Sequence, residues 1–400
     1  MLKRNVTCLS ASLALCLSWA TPAMAQIPGG DDDGIVRTFA ILPEVVEQDP
    51  NNAGQVLQLG HPEGLTVDST GYVYAATFDA GYQNYIYVYD SAGRLDARVT
   101  IPMDGLPLGR APLGMVTDRN YLYVNEVLNG DILRYTLPVT STSVPERVYD
   151  ICGGFIVAFG LGAPGAEFCA LNANDLGPDG RLYMSDNGAG PSFVFSEDYR
   201  NGRLFVLDPV TGASSVWFDR DTRGELDVAI AANPEFGVNG IAFTNDGAEL
   251  FMANMSTDVI YRMPVTGCRT GCQPTALREF SRGQGINGPD NIDFDDNGIL
   301  WVASGQNDRV VGINRTGRVI AKIGGFEGFS RSGAPEGLLQ PSGITAFGGR
   351  IYVGNESSRG LRPTPDLVPE TEWQQLRLFT VSVIFPWIYG LGQQDNHDDE

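Results

Sequence analysis

Six copies of one short pattern recur along this chain, and internal repetition of this kind constrains the fold more than any other feature. Each copy runs from a small-residue turn into a short apolar strand, then a polar turn, then a strand often rich in aromatics. The first three are His61-Pro62-Glu63-Gly64-Leu65-Thr66-Val67-Asp68, Ala111-Pro112-Leu113-Gly114-Met115-Val116-Thr117-Asp118 and Asn172-Ala173-Asn174-Asp175-Leu176-Gly177-Pro178-Asp179. The others are Gly237-Val238-Asn239-Gly240-Ile241-Ala242-Phe243-Thr244, Gly288-Pro289-Asp290-Asn291-Ile292-Asp293-Phe294-Asp295 and Gln340-Pro341-Ser342-Gly343-Ile344-Thr345-Ala346-Phe347. Several continue into hairpin signals such as Ser69-Thr70-Gly71, Asn245-Asp246-Gly247 and Asp296-Asn297-Gly298.

No long stretch keeps a helical period, and Gly, Asn, Asp and Pro punctuate the strand-like runs. The copies lie roughly 50 to 65 residues apart, the length of one four-stranded blade with its loops. The expected architecture is therefore all-β: a six-bladed β-propeller of four-stranded antiparallel blades, filling residues 26–392 as one domain. Ring closure is expected to pair the run Ile35 to Leu42 with a late strand near Leu376 to Val383. The longest insertions flank the third copy, near residues 146–170 and 187–200, and are candidates for a lid. The acidic end, residues 393–400, is expected to be a disordered tail.

The first 25 residues read as a secretory signal peptide. Lys3 and Arg4 supply the positive segment, an apolar run includes Leu13 to Trp19, and Ala23-Met24-Ala25 gives the small-x-small cleavage pattern. The apolar run is too short to span a bilayer, and Leu15-Cys16 makes a poor lipid-attachment signal. The expected destination is periplasmic or extracellular. Beyond this segment four cysteines remain, and an even number in an exported chain suggests disulfides. Cys152–Cys169 and Cys268–Cys272 are the expected pairs because each closes a local loop. A zinc site is the rival, but the spacing does not suit a zinc ribbon and no histidine lies nearby.

A formal net charge of −21 leaves no basic stripe for nucleic acid and disfavours anionic membranes. It favours cations, and the repeats place acids where a cation would sit. In a propeller the start of each innermost strand faces the axis, so equivalent residues of the copies converge there. That column reads Glu63, Leu113, Asn174, Asn239, Asp290 and Ser342. Any one of these polar residues alone would pass for a turn former. Two carboxylates and two carboxamides converging on one axis are costly to bury without a counter-charge. Their hard oxygens suit one divalent cation, calcium ahead of magnesium or manganese, with zinc disfavoured.

Pro62-Glu63-Gly64, Asn174-Asp175, Val238-Asn239-Gly240-Ile241 and Pro289-Asp290-Asn291-Ile292 resemble the SMP-30/gluconolactonase/LRE-like (senescence-marker-protein) family over most of residues 60–355. More distantly they resemble the paraoxonase-type calcium propellers. The resemblance implies that Glu63, Asn174, Asn239 and Asp290 hold a catalytic calcium, with Asn291 a further contact of paraoxonase type. Gluconolactonase-like members carry an Arg two residues before the first Asn, where this chain has Asn172. Paraoxonase-type members carry an Asp for a second calcium where this chain has Gly64, and their histidine pair has no counterpart here. One metal is expected, with the substrate open.

Only His61 and His397 are present, which gives poor support to a Ser-His-Asp or Cys-His machine. His61 could approach the channel mouth. The expected function is a secreted hydrolase of lactones or related esters, monomeric, with a small-molecule substrate. Asp290 would activate the water or attack directly. The alternative is a non-enzymatic propeller that binds a ligand or protein partner and uses calcium as a structural plug. A strictosidine-synthase-like condensing propeller would not need the four-ligand set.

Overall fold

The chain forms six antiparallel sheets arranged as the blades of a ring, each built on four strands, the fourth blade carrying one short extra strand, Gln273–Pro274. The computed structural model describes residues 33–48, 56–106, 108–154, 156–157, 161, 168–187, 202–218, 237–358 and 370–387. The segment 1–25 expected to be a signal peptide, the expected tail 393–400 and much of both lid candidates lie outside the described residues. Among the described residues the helical pieces are minor and include a four-residue helix at Glu370–Trp373 and a three-residue 3-10 turn at Gly305–Asn307.

The innermost strands are Pro62–Val67, Pro112–Thr117, Leu171–Leu176, Val238–Phe243, Pro289–Phe294 and Pro341–Phe347. Each pairs with the strand that follows it and also touches the innermost strands of the blades on either side. The sixth blade is closed by the N-terminal strand Gly34–Ile41, which pairs antiparallel with Thr380–Pro386. The expected closure therefore holds, with the partner strand starting a few residues later than the sequence suggested.

The tight turns recur for one physical reason. In four blades an aspartate at the first hairpin accepts backbone N–H bonds across the turn and a polar hydrogen from a ring on the next strand. Asp68 takes the Tyr74 hydroxyl, Asp118 that of Tyr123, Asp179 that of Tyr183, and Asp295 the Trp301 indole N–H. Tyr74, Tyr123, Tyr183 and Trp301 are all fully buried, so each aspartate satisfies a donor that burial would otherwise strand. These aspartates are turn residues and not ligands.

An innermost strand has a bare edge toward the axis, and side chains from neighbouring blades satisfy part of it at every joint. Thr117 Oγ1 donates to the Val67 carbonyl, Asn125 Nδ2 to those of Asn172 and Ala173, and Ser185 Oγ to that of Asn239. Asn245 Nδ2 donates to the Asp295 carbonyl, Asp293 accepts the Ala346 N–H, and Ser342 Oγ donates to the Pro62 carbonyl. The strands approach so closely that a Cβ on Gly64 would land on the Leu113 carbonyl oxygen, and one on Gly343 on that of Glu63. Gly64 therefore has no room for the aspartate of the paraoxonase type. Gly64→Ala is expected to lower the thermal midpoint through a loss on the order of 1–3 kcal/mol, read by scanning calorimetry.

The two faces of the ring differ. The first and third turns of each blade, on one face, are mostly short. The connections at the start of the innermost strands are long, and two of them carry hairpins, Val45–Gln48 with Val56–Leu59 and Phe326–Phe329 with Pro335–Gly337. Disulfides join Cys152–Cys169 and Cys268–Cys272, as expected. The first lies on the long-loop face between the second and third blades. The second lies on the short-turn face, where Cys272 reaches back to bond Asp179 and Trp217 of the third blade.

Candidate metal centre

Two rings of residues surround the channel mouth. The second residues of the innermost strands are Glu63, Leu113, Asn172, Asn239, Asp290 and Ser342. In the third blade this position belongs to Asn172, because pairing aligns Leu171 with Asp186 as it aligns Val238 with Asn254. The column read from sequence was thus shifted by two residues there. Its turn begins at Gly177, whose carbonyl accepts the Gly180 N–H as Asp68 accepts that of Gly71, so Asp179 is not the counterpart of Asp68 in sequence register. Asn174 lies two residues farther along the same strand, its Nδ2 held by Asn125 Oδ1 at 2.7 Å.

The second ring comes from the residue just past each second strand, whose N–H bonds the carbonyl just before the innermost strand. Its members are Phe78, Val127, Asn187, Met255, Gly305 and Glu356. Glu356 is the acid of this ring and the residue that reading a single column could not find. Its only sequence signal is its place directly after Asn355, the terminal residue of the strand Arg350–Asn355.

Glu63, Asp290 and Glu356 bring carboxylate oxygens within 4.8 Å of one another, and all three side chains are buried. Glu63 Oε2, Asp290 Oδ1, Asn172 Oδ1, Asn174 Oδ1 and Asn239 Oδ1 are buried without hydrogen-bond partners. Orphaned oxygens are rare in native interiors, and those of Glu63, Asn172, Asn239 and Asp290 share the second position of their innermost strands. Burial pushes the Glu63 carboxyl up to about 7, against the pull of the Ser342 hydroxyl. Asp290 is held well above the usual carboxylate range by burial and then by the charge of Glu63. Glu356 is raised in the same way by burial and by Glu63, Asp290 and Asp79. Protons or a cation must neutralise such a cluster, and an all-oxygen donor set of this charge fits a divalent cation.

Asn291 stands where other blades carry Gly64, Gly114, Gly240 and Gly343. It is half-buried. His61 Nδ1 lies 2.7 Å from Asp79 Oδ1, its ring 4.4 Å from that of Phe379. Asp79 Oδ2 also accepts the Gly60 N–H, so the pair fixes the loop that leads into Glu63.

The profile of the SMP-30/gluconolactonase/LRE-like region matches residues 163–324, which carry the third to fifth blades with Asn172, Asn174, Asn239 and Asp290. A 6-deoxy-6-sulfogluconolactonase of Pseudomonas putida is 26% identical over 230 residues, 54% of this chain and 75% of that protein. Among solved structures, a luciferin-regenerating enzyme superposes with a TM-score of 0.56 at 15% identity, covering 88% of this chain and 96% of its own. A gluconolactonase from Xanthomonas campestris gives 0.52 at 14%, covering 82% and 86%. At these identities the structural likeness establishes the propeller, while the span matched by the family profile lies across the candidate centre. Glu63 and Glu356 lie outside the matched span and join the centre through the ring. No helix among the described residues is long and apolar enough to cross a membrane.

Proposed function

We propose that this protein is an exported, calcium-dependent hydrolase of lactones or related esters. The observation that carries the reading is the buried cluster of Glu63, Asp290 and Glu356 beside partnerless carboxamide oxygens at the channel mouth. Glu63, Asp290, Glu356, Asn174 and Asn239 would hold the cation. When bound, it supplies Lewis-acid stabilisation of the negative charge that develops on the carbonyl oxygen.

The chain's own residues supply the rest. Asp290 Oδ1 makes no hydrogen bond in the protein and is placed to orient the attacking water and take its proton. Water adds to the acyl carbon, the acyl–oxygen bond breaks, and that proton passes to the leaving alkoxide, giving a hydroxy acid from a lactone. Asn174 and Asn239 orient without adding charge, and Asn125 keeps the Asn174 carboxamide from rotating. The gluconolactonase names of the relatives support this class of substrate. Two disulfides support an oxidising destination.

The test is hydrolysis of a lactone and aryl-ester panel by protein stripped with EDTA and then given calcium. Turnover is expected only after calcium is restored, with a rise in melting temperature. No turnover on the panel alongside an intact calcium-induced rise would reassign the protein as a binding propeller.

A further inference from the structure

The mouth is divided by polarity, and the division follows the ring. The three carboxylates come from the fifth, sixth and first blades. The carboxamides Asn172, Asn174 and Asn239 come from the third and fourth. The second blade instead presents Leu113 in the inner column and Val127 in the ring beside it. Both belong to one apolar cluster with Leu108, Leu128 and Ile156, and the partly exposed Phe78 and Phe168 pack against it.

Leu113 thus interrupts an otherwise polar column directly across the axis from Asp290 in the fifth blade. Gly305, at the fifth blade's place in the second ring, adds no side chain between them. The Cys152–Cys169 bridge anchors the loop that carries Phe168 beside this wall. An uncharged wall next to a desolvated acid cluster has an evident use: it receives the apolar part of a molecule whose carbonyl lies at the cluster. A polyhydroxylated ring would there leave hydroxyls without partners, which costs binding.

We infer that the substrate carries an alkyl or aryl substituent that seats on Leu113, Val127, Phe78 and Phe168 while its carbonyl faces Glu63, Asp290 and Glu356. The inference rests on the hydrolase reading for its carbonyl, but the apolar subsite is testable without turnover. The specificity residue is Phe78, which is partly exposed and can be changed with least disturbance of the fold.

With the calcium-loaded full chain, kcat/KM is measured for γ-decalactone, γ-butyrolactone and glucono-δ-lactone. γ-Decalactone is expected to exceed each of the others by about tenfold or more. Phe78→Asn should remove most of that advantage, read as the ratio of γ-decalactone to γ-butyrolactone, while Phe78→Leu retains it. Should Phe78→Asn fail to fold, Val127→Thr keeps the shape and adds a hydroxyl to the same wall. Glucono-δ-lactone as the preferred substrate, or an alkyl preference untouched by a folded variant, would overturn the inference and leave the hydrolase reading standing. If no lactone turns over, calorimetry compares 6-hexyl-2-piperidone with 2-piperidone as non-hydrolysable probes. Tighter binding of the hexyl compound that Phe78→Asn abolishes would uphold the apolar subsite without the hydrolase. Equal binding of the two would overturn it.

Discussion

Asp290→Asn is expected to lower kcat/KM by about 10²–10⁴-fold and, in metal-free protein, to raise the melting temperature. The two effects have one origin. Asp290 is buried and its carboxyl is held well above the usual range by burial and by Glu63. Ionised and without a cation, it repels Glu63 and Glu356, whose carboxylate oxygens lie within 4.8 Å in a buried site. Asparagine keeps the shape and removes the charge, so the empty site relaxes while the proton acceptor is gone. Glu63→Gln should likewise raise metal-free stability, and its loss of activity should partly recover at high calcium because it weakens binding and leaves the proton acceptor in place. A fall in metal-free melting temperature for both variants would show that the cluster holds the ring together by hydrogen bonding and is not a strained cation site. Opposed movement of activity and stability is the signature of residues kept for function.

The second large effect is on pH dependence. Burial raises Glu63 from 4.5 to about 7, and Asp290 and Glu356 are raised as well. Between pH 4 and 7 the native metal-free protein therefore binds more protons than the unfolded chain. The stabilisation is fully present below the unfolded carboxyl values and is lost as pH rises through the folded ones. For Glu63 alone the span is on the order of 3 kcal/mol. Metal-free protein should melt several degrees lower at pH 8 than at pH 5. Saturating calcium should flatten much of this slope, because the ionised cluster then has its counter-charge. Part should persist, since Glu126 is also pushed up to about 7 by burial and lies outside the cluster. Melting curves across pH with calcium or EDTA give the comparison, and parallel slopes in the two would exclude a cation from the centre.

The propeller was legible because its repeats satisfy the same physical demands six times, in turns that need Gly or Asp and in strands that meet at an axis. Glu63, Asn239 and Asp290 were legible for the same reason, each following directly on the first residue of an innermost strand. The third blade was misread because Asp179 imitates Asp68 at the same distance from a polar residue. The turn there opens at Gly177, so Asn172 and not Asn174 shares the position of Glu63. Glu356 was hidden because it comes from the exit of a second strand, a position that in other blades holds Phe78, Val127 or Gly305. The His61–Asp79 pair spans a hairpin, and only folding brings its members together.

The strand that closes the ring has a consequence for how the ring is completed. Gly34–Ile41 precedes the first blade, yet its partner Thr380–Pro386 lies beyond the fifth. Five blades are built from neighbouring sequence, whereas the sixth needs strands that lie far apart along the chain. Until these pair, two bare sheet edges face each other across a gap, a template for pairing between molecules. A ring without Thr380–Pro386 would keep that seam open.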